Sequence, residues 1–335
     1  MLEEFMSYLK SLSDPNGGFM ASGLSNFLGV ADGKVSDIAP ATYAAEIAMT
    51  LGVELPYPQK TAEYIQARQN PDGYFVNMTP LPGVATTTYA FYNTCVALRG
   101  LKALAKSPKY DPRRWLDNFI RNRDKIGPYE PDFYANSYAA LEDDMKTDCF
   151  QKLADYLLAT QDMETGWLMQ PGVKEAGFPL ERNNPFTFHA ARFFHLAGKR
   201  IPMADKILET FMRLQETDGS WSMGNVHGTF DASVTIRMLS DNSEKYKMAI
   251  KRAADWALTC QREDGGFNHF GDKIIAKALN GKSGRAYVDN APSEMDACYF
   301  HIATLVMAGM LPTKLTTANR WIGWGHTLLK EGAKN

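Results

Sequence analysis

Hydrophobic and polar positions along the chain define two kinds of helical segment. The first kind has apolar residues at i, i+3, i+4 and i+7 and one polar face, as in ADKILETFMRLQ (204–215) and YKMAIKRAADWALTCQ (246–261). The second kind is apolar or aromatic on nearly all sides, which is typical of a buried helix. Six segments of the second kind follow one another, at residues 40–53, 86–101, 133–145, 185–198, 230–239 and 294–311.

A short turn motif recurs between these segments. Its clear copies begin with Gln and end with an aromatic residue that follows a Gly, at residues 69–75, 161–167, 215–221 and 261–267, and looser copies lie at 13–19 and 123–129. The Gly supplies the positive φ of a tight turn, the Gln side chain can hydrogen-bond across it, and the aromatic can fold back onto the preceding helix. Recurrence of one motif at six places along the chain indicates a repeat protein.

Six buried helices that alternate with surface helices predict an all-α fold, an α/α toroid. Six inner helices would surround a central cavity, and about six outer helices would surround the inner ring. No Pro-rich or Ser-rich linker divides the chain. We therefore expect residues 1–335 to form a single toroid domain built of six helix-pair repeats.

Charge and composition narrow the classes of partner. The net charge is −2 and the Lys and Arg residues are scattered, so we expect neither nucleic acid nor an anionic membrane surface as a partner. No run approaches the roughly 20 apolar residues of a membrane span, and the N-terminus lacks the features of a signal peptide, which favours a cytoplasmic protein. The four cysteines form no CxxC pair and predict no disulfide framework.

The turn motif, Gln-x-x-Asp-Gly-Ser-Trp at residues 215–221, resembles the QW-type repeats of the terpenoid cyclase and protein prenyltransferase superfamily. The resemblance covers nearly the whole chain. It implies the toroid fold, but the superfamily contains cyclases, prenyltransferases and non-catalytic relatives. In size the chain looks most like a protein prenyltransferase β subunit, and those subunits pair with a helical partner protein.

The stretch Asp-Ala-Cys-Tyr at residues 296–299 resembles the Asp-x-Cys-Tyr stretch with which those β subunits begin an inner helix and bind zinc. The resemblance implies that Asp296 and Cys298 are catalytic zinc ligands, and that the metal activates a substrate thiol. The third ligand, a later His in the family, is unassigned here, with His227 and His301 as candidates. By the same resemblance, the diphosphate of the substrate would be held by His227, Lys282 and Arg285.

The same stretch has a second interpretation that needs no metal. Residues two apart on a helix do not face each other, so a ligand pair works only in the first turn. Ser293 and Asp296 match the S-x-x-D pattern of a capping box, and Cys298 is a small residue that suits a buried position. The sequence leaves both interpretations open.

Aromatic residues are concentrated on or near the predicted inner helices. They can line a pocket for an isoprenoid chain and stabilise a carbocation by cation–π contacts, or they can be ordinary core. Ionisable residues within the same helices, such as Glu46, Arg99 and Arg192, favour salt bridges between neighbouring helices. The aromatic candidates for the pocket are Tyr43, Tyr89, Tyr92, Tyr134, Tyr138, Phe186 and Tyr299.

These observations predict a prenyltransferase-like protein that handles an isoprenoid or other apolar ligand in a central aromatic pocket, with zinc-assisted prenyl transfer as its reaction. An alternative is a non-catalytic toroid that binds an apolar small molecule or a partner protein. A second alternative is class II terpene cyclase-like activity. That chemistry uses an Asp-x-Asp-Asp motif in its family, and Glu-Met-Asp at 294–296 and Glu-Asp-Asp at 142–144 are partial likenesses.

Overall fold

The computed structural model describes residues 1–22, 36–77, 86–169, 183–222, 224–269 and 293–315. These residues contain one two-stranded antiparallel sheet, in which β1 (Phe19–Met20) pairs with β2 (Ser36–Asp37). They also contain twelve α-helices: α1 (Leu2–Ser11), α2 (Ile38–Leu51), α3 (Pro58–Gln66), α4 (Thr86–Ala103), α5 (Arg113–Arg121), α6 (Glu130–Ala140), α7 (Thr147–Ala159), α8 (Asn184–Leu196), α9 (Ala204–Leu214), α10 (Val226–Leu239), α11 (Glu244–Leu258) and α12 (Met295–Met307).

The even-numbered helices form a closed inner ring. Neighbours pack in the order α2, α4, α6, α8, α10 and α12, and α12 packs against α2 to complete the circle. The odd-numbered helices lie outside them and bury one face, as α3 does against α4 and α11 against α12. The predicted all-α toroid is thus confirmed. The extension of a single domain over residues 1–335 stays a prediction.

The boundaries of the inner helices follow from local sequence. Asp37 caps α2 by accepting a hydrogen bond from the backbone N–H of Ile38, and Asn225 caps α10 by accepting from the N–H groups of His227 and Gly228. Gly52 ends α2 in the left-handed conformation. These caps fix where the first turns of α2 and α10 begin, and His227 lies in the first turn of α10.

The repeated turns connect the two rings. In the turn at 215–221, the side-chain amide of Gln215 donates to the carbonyl oxygens of Gly219 and Ala249, at 2.9 and 2.8 Å. Trp221 is buried and its indole N–H donates to the carbonyl oxygen of Phe211 in the helix just ended. Both predicted roles, the tie by Gln and the return of the aromatic, are confirmed here.

Gln side chains of the other turns make similar hydrogen bonds to neighbouring outer segments. Gln69 and Gln161 also bridge their own turn and the backbone ahead of the next outer helix, through the carbonyl oxygens of Tyr110 and Pro202. Gln261 donates to the carbonyl oxygen of Met1, so the last described turn is joined to the first helix of the chain. None of the helices in the described residues has the length and apolar character needed to cross a membrane.

Candidate active site

Each inner helix carries one aromatic or histidine side chain that is only partly buried although both of its chain neighbours are buried. Because inner helices are covered by the outer ring on one side, partial exposure at such a position indicates the side that faces the axis of the toroid. The six residues, one per helix in ring order, are Tyr43, Tyr92, Phe133, His189, His227 and Phe300.

These side chains and their neighbours form a continuous circuit of aromatic contacts, which we call the aromatic belt. The Tyr43 and Tyr92 hydroxyl oxygens lie 3.4 Å apart, and the belt closes at this contact. Along the belt the centroid separations are 5.4 to 6.3 Å for the pairs Tyr92–Phe133, Phe133–His189 and Tyr43–Phe300, and 4.7 to 5.7 Å for Phe300–Phe230, Phe230–Phe188 and Phe188–His189. We call the axial region inside this belt the chamber, and aromatic faces and edges border it.

A buried charged group lies in the wall of the chamber at α6 and α8. The Asp132 carboxylate accepts hydrogen bonds from Arg192 Nε at 2.9 Å and from Asn136 Nδ2 at 2.7 Å, and His189 Nδ1 lies 2.6 Å from its other oxygen. Burial opposes ionisation, but Arg192 and His189 outweigh it and hold the pKa of Asp132 below its ordinary value. Asp132 is therefore the ionised member of this group.

Asp231 on α10 is a second carboxyl group in the field of Arg192. It is four residues beyond His227 and shares its helix face, and its side chain is buried. Burial raises the pKa of Asp231 well above its ordinary value, Arg192 partly offsets this, and the charge of Asp132 adds to it. Among the described residues none hydrogen-bonds its carboxyl group. Burial and the neighbouring charge of Asp132 therefore favour the protonated form of Asp231 more than Arg192 opposes it.

Another buried ion pair lies further along the inner helices. Arg99 donates to both carboxylate oxygens of Glu46, at 2.9 and 2.6 Å, and also to the hydroxyl of Tyr299 at 2.7 Å. This bidentate pair joins α2 to α4, while Tyr299 brings in α12. The predicted salt bridges between neighbouring inner helices are confirmed at this pair and at Arg192–Asp132.

A cluster of imidazole and carboxylate groups lies where α10 and α12 begin. His227 Nε2 is 3.6 Å from Asp296 Oδ2, and His269 Nε2 is 3.3 Å from Asp296 Oδ1 and also contacts Glu294. One ligand atom each from His227, His269 and Asp296 lies within 4.8 Å of the others. Burial alone would lower the pKa of His269, but Asp296 and Glu294 outweigh burial and raise it to about 9. This cluster is the part of the described chain that could hold a metal ion.

Two of the sequence-predicted zinc ligands meet in this cluster, and two residues lie elsewhere. Asp296 and His227 are in it, whereas the Cys298 sulfur accepts a hydrogen bond from the backbone N–H of Phe267 at 3.3 Å. Burial raises the pKa of Cys298 well above its ordinary value. His301 is buried beside Trp256 and Phe267, with Nε2 2.9 Å from the carbonyl oxygen of Asn268.

The capping box expected from Ser293 and Asp296 does not form. Helix α12 begins at Met295, so the N-cap is Glu294 and Ser293 lies one residue too early. The Ser293 hydroxyl donates instead to Asp264 at 2.6 Å, in the turn that precedes the cluster. Asp296 is therefore not employed as a cap partner of Ser293, and its carboxylate points to the two histidines.

The predicted aromatic pocket residues divide into two sets. Tyr43, Tyr89 and Tyr92 are partly exposed toward the axis, and Tyr299 is buried and stacks on Tyr43 at 4.7 Å. Tyr134, Tyr138 and Phe186 face the outer ring. Both of these tyrosines donate to Asp117 of α5, and Phe186 packs near Tyr156 of α7. Lys282 and Arg285 lie outside the described residues.

A cleft of about 820 Å³ opens elsewhere, at the C-terminal ends of α2, α4 and α6. Its lining includes Met49, Leu98 and Leu141 together with charged residues at the rim. Several of these charges are already paired, because Lys102 contacts Glu142 and Arg113 contacts Asp143. We therefore place the candidate chemistry at the aromatic belt rather than at this cleft.

Sequence reasoning did not find Asp132, His189, Asp231 and His269. A signal was present for two of them, since His189 and Asp231 are polar residues inside segments that are otherwise largely apolar, while Asp132 directly precedes such a segment. An unexplained polar residue in such a helix needs a partner or a function. His269 could not be identified in this way, because it follows the turn motif at residues 261–267 and lies in no predicted helix.

Comparisons with known proteins agree with this architecture. Residues 2–123 and 132–273 match the family model described as the prenyltransferase alpha-alpha toroid domain. Among solved structures, the apo type II terpene cyclase MstE from Scytonema is 13% identical with a TM-score of 0.56, over 92% of this chain and 97% of that chain. A variant of MstE in complex with geranylgeranyl dihydroxybenzoate, named as its substrate, is 14% identical with a TM-score of 0.56. The match covers 93% of this chain and 97% of that chain.

A third structure, the ent-copalyl diphosphate synthase from Streptomyces platensis, is 13% identical with a TM-score of 0.51, over 81% of this chain and 50% of that chain. At such identities these likenesses establish the fold alone. A sequence comparison with curated proteins found no match.

Proposed function

The chain belongs to the prenyltransferase alpha-alpha toroid family, and from this premise we propose that it binds a polyprenyl substrate in its axial chamber and cyclises it by proton transfer. The observation that carries the proposal is Asp231, a buried carboxyl group that shares the helix face of His227 on α10 and whose pKa burial raises well above its ordinary value. The likeness to a cyclase structure named with a geranylgeranyl substrate supports the choice of substrate class.

The aromatic belt suits such a substrate in two ways. Its side chains offer an apolar surface around the axis, which favours a folded hydrocarbon chain over water. Its π faces can also stabilise a carbocation, at about 0.5–2 kcal/mol for each ring that contacts the charge. A cation that forms inside the belt is therefore surrounded by rings from all six inner helices. These rings belong to Tyr43, Tyr92, Phe133, Phe188, His189, Phe230 and Phe300.

In the proposed reaction Asp231 is the proton donor. Its O–H bond breaks and the proton adds to one carbon of a substrate double bond, whose electron pair forms the new C–H bond. The adjacent carbon becomes cationic and is attacked by the next double bond, which closes a ring. The last cation loses a proton to solvent and the Asp231 carboxylate takes one up from solvent, so that the acid is restored and the product is an isomer of the substrate.

Asp132, Arg192 and His189 set up this donor. Asp132 stays ionised and fixes Arg192 by a hydrogen bond, which holds the guanidinium where its charge acts on Asp231. When Asp231 gives up its proton, the resulting carboxylate gains the attraction of Arg192. Because the group is buried among aromatic rings, water has little access to quench the cation.

The test is incubation of the purified protein with geranylgeranyl diphosphate and with geranylgeranyl dihydroxybenzoate, in H₂O and in D₂O, with analysis by mass spectrometry. We expect a product of unchanged mass in H₂O and of one additional mass unit in D₂O, because the transferred proton comes from an exchangeable carboxyl group. Neither inorganic diphosphate nor a prenylated acceptor should form. Conversion that incorporates no deuterium would contradict the proposal.

Prenyl transfer assisted by zinc is the second candidate function, and the cluster of His227, His269 and Asp296 favours it. This reaction breaks the bond between carbon and diphosphate, so it is recognised by release of inorganic diphosphate in the same incubations. Binding of the substrate without any conversion would instead favour the non-catalytic toroid. The requirement for a helical partner subunit, which the resemblance to β subunits implies, stays a prediction.

A further inference from the structure

We propose that His227, His269 and Asp296 bind a divalent metal ion of the zinc type through nitrogen and oxygen donors alone, with Cys298 excluded from the site. The proposal does not rest on the proton-transfer function, because it uses none of the residues of the acid group. It differs from the ligand set implied by the Asp-x-Cys-Tyr resemblance in that His269 takes the place of the thiolate.

The geometry of the donor atoms fits such an ion. Bonds from zinc to imidazole nitrogen and carboxylate oxygen are about 2.0–2.2 Å, so tetrahedral ligands lie roughly 3.3–3.6 Å from each other. The two nitrogens lie 3.6 and 3.3 Å from the two oxygens of Asp296. Two imidazoles and a carboxylate are a donor set that zinc ions use where a coordination position stays open. Glu294, in contact with His269, places a second carboxylate beside the same site.

The backbone holds these three residues in place independently of any ion. Asn225 caps α10 and accepts a hydrogen bond from the N–H of His227 at 2.8 Å. The carbonyl oxygen of His269 accepts from the N–H of Val226 at 3.0 Å, which fixes the segment after the turn against the start of α10. The N–H of Glu294 donates to the carbonyl oxygen of Phe267 at 2.9 Å. Three chain segments are thus fixed around one point, as a preorganised site requires.

Cys298 lies apart from this site and is not among the residues whose donor atoms come together. Residues two apart on a helix point to nearly opposite sides, so Cys298 lies across the helix from Asp296. Its sulfur already accepts the N–H of Phe267 at 3.3 Å, and its side chain is fully buried. The donor set available at the start of α12 is therefore nitrogen and oxygen.

The site borders the chamber. The His227 ring packs edge-on against Phe300 of the aromatic belt with centroids 4.6 Å apart, and the side chain of His227 is 31% exposed. An ion with three protein ligands keeps a position for water or for an oxygen of a ligand. Its place at the edge of the belt suits an anionic oxygen group at one end of a chain whose apolar part lies within the belt.

The experiment is a calorimetric titration of the purified full chain with Zn²⁺ after treatment with a chelator. We expect one ion per chain with saturation at micromolar Zn²⁺. His227→Gln and His269→Gln should each weaken binding by more than the roughly 10–100-fold that loss of an outer-shell partner costs. Cys298→Ser and His195→Gln, the latter a histidine at the end of α8, should bind as the unaltered protein does. Circular dichroism checks that each variant is folded.

Replacement of Zn²⁺ by Co²⁺ gives a second readout that does not depend on the variants. Cobalt bound to nitrogen and oxygen donors shows visible bands and lacks the near-ultraviolet charge-transfer band of a thiolate. A thiolate band that disappears in Cys298→Ser would overturn the proposed donor set. No saturable Zn²⁺ binding, or binding unchanged in both His227→Gln and His269→Gln, would overturn the site itself.

Discussion

Two buried ionic groups of the inner ring differ in how completely their charges are paired. At Glu46 and Arg99, one carboxylate meets one guanidinium in a bidentate pair, and both charges are balanced. Around Arg192 there are two carboxyl groups, Asp132 and Asp231, and only Asp132 is hydrogen-bonded by the guanidinium. At the first group the guanidinium binds the one carboxylate, whereas at the second group burial raises the pKa of Asp231 and favours its protonated form. Proton chemistry is therefore expected at the second group and not at the first.

The largest effect is expected for Asp231→Asn. Asparagine has nearly the same shape and no acidic proton, so we expect the rate of cyclisation to fall by about 10²–10⁴-fold, the usual contribution of general acid catalysis. The fold should be retained, because the raised pKa of this carboxyl group already favours its neutral form and none of the described residues hydrogen-bonds it. Product formation is measured by mass spectrometry. A variant that keeps the unaltered rate would remove Asp231 from the reaction.

The raised pKa of Asp231 also fixes the sign of a pH effect. The folded protein keeps this proton to higher pH than the unfolded chain does, so the folded state binds more protons. The stability that the group contributes is complete below the unfolded pKa of about 3.9 and is lost as pH rises through the folded pKa. We expect the free energy of unfolding of Asp231→Asn to fall less steeply with rising pH than that of the unaltered protein, as measured by urea denaturation across this range.

Glu46→Gln is the matched change at the balanced pair. It leaves Arg99 buried without its counter-charge, and loss of one partner of a buried ion pair costs about 3–5 kcal/mol. We expect the free energy of unfolding to fall by that amount, while the product and its deuterium content stay the same in the protein that remains folded. Denaturant unfolding and product analysis are done on the same preparation. If Glu46→Gln abolished turnover at full stability, the distinction between the two groups would be wrong.

The same contrast predicts different outcomes for two phenylalanines of the inner helices. Phe186 is 1% exposed and faces the outer ring, so Phe186→Ala should destabilise the fold by about 3–5 kcal/mol without changing the product. Phe133 belongs to the aromatic belt and is partly exposed, so Phe133→Ala should cost less stability but alter the ratio of products. Chromatography of the products and thermal unfolding measure the two effects. Equal product ratios in both variants would contradict the assignment of the belt.

The fold could be predicted from sequence because its signals are local. A Gln, a Gly and an aromatic recur in each turn, and helices apolar on all sides have few other places to lie than inside a ring. The direction in which each inner side chain points was not predictable. Tyr92 and Tyr138 have the same residue type and similar surroundings in sequence, yet one faces the axis and the other donates to Asp117 of an outer helix.

The candidate site was predicted only in part for the same reason. Asp296 and His227 were identified from a resemblance, and the structure brings them together with His269. The group of Asp132, His189, Arg192 and Asp231 brings together residues from α6, α8 and α10. Asp132 is 57 residues from His189 and 60 residues from Arg192 in the sequence. Such pairings arise from the closure of the ring, and the spacing of residues along one helix does not reveal them.

The smallest effect on stability is expected at two glycines with positive φ, one in a tightly packed turn and one in an open position. At Gly219, in a repeated turn, φ is +94° and an added Cβ would lie 2.3 Å from the carbonyl oxygen of Arg252. At Gly309, after α12, φ is +72° and no described atom lies within 4 Å. Gly309→Ala should cost only the left-handed conformation, about 1–2 kcal/mol. Gly219→Ala must also displace backbone, so we expect about 3 kcal/mol or more by denaturant unfolding. Equal losses of stability in the two variants would mean that the repeated turns are not packed tightly between the inner and outer helices.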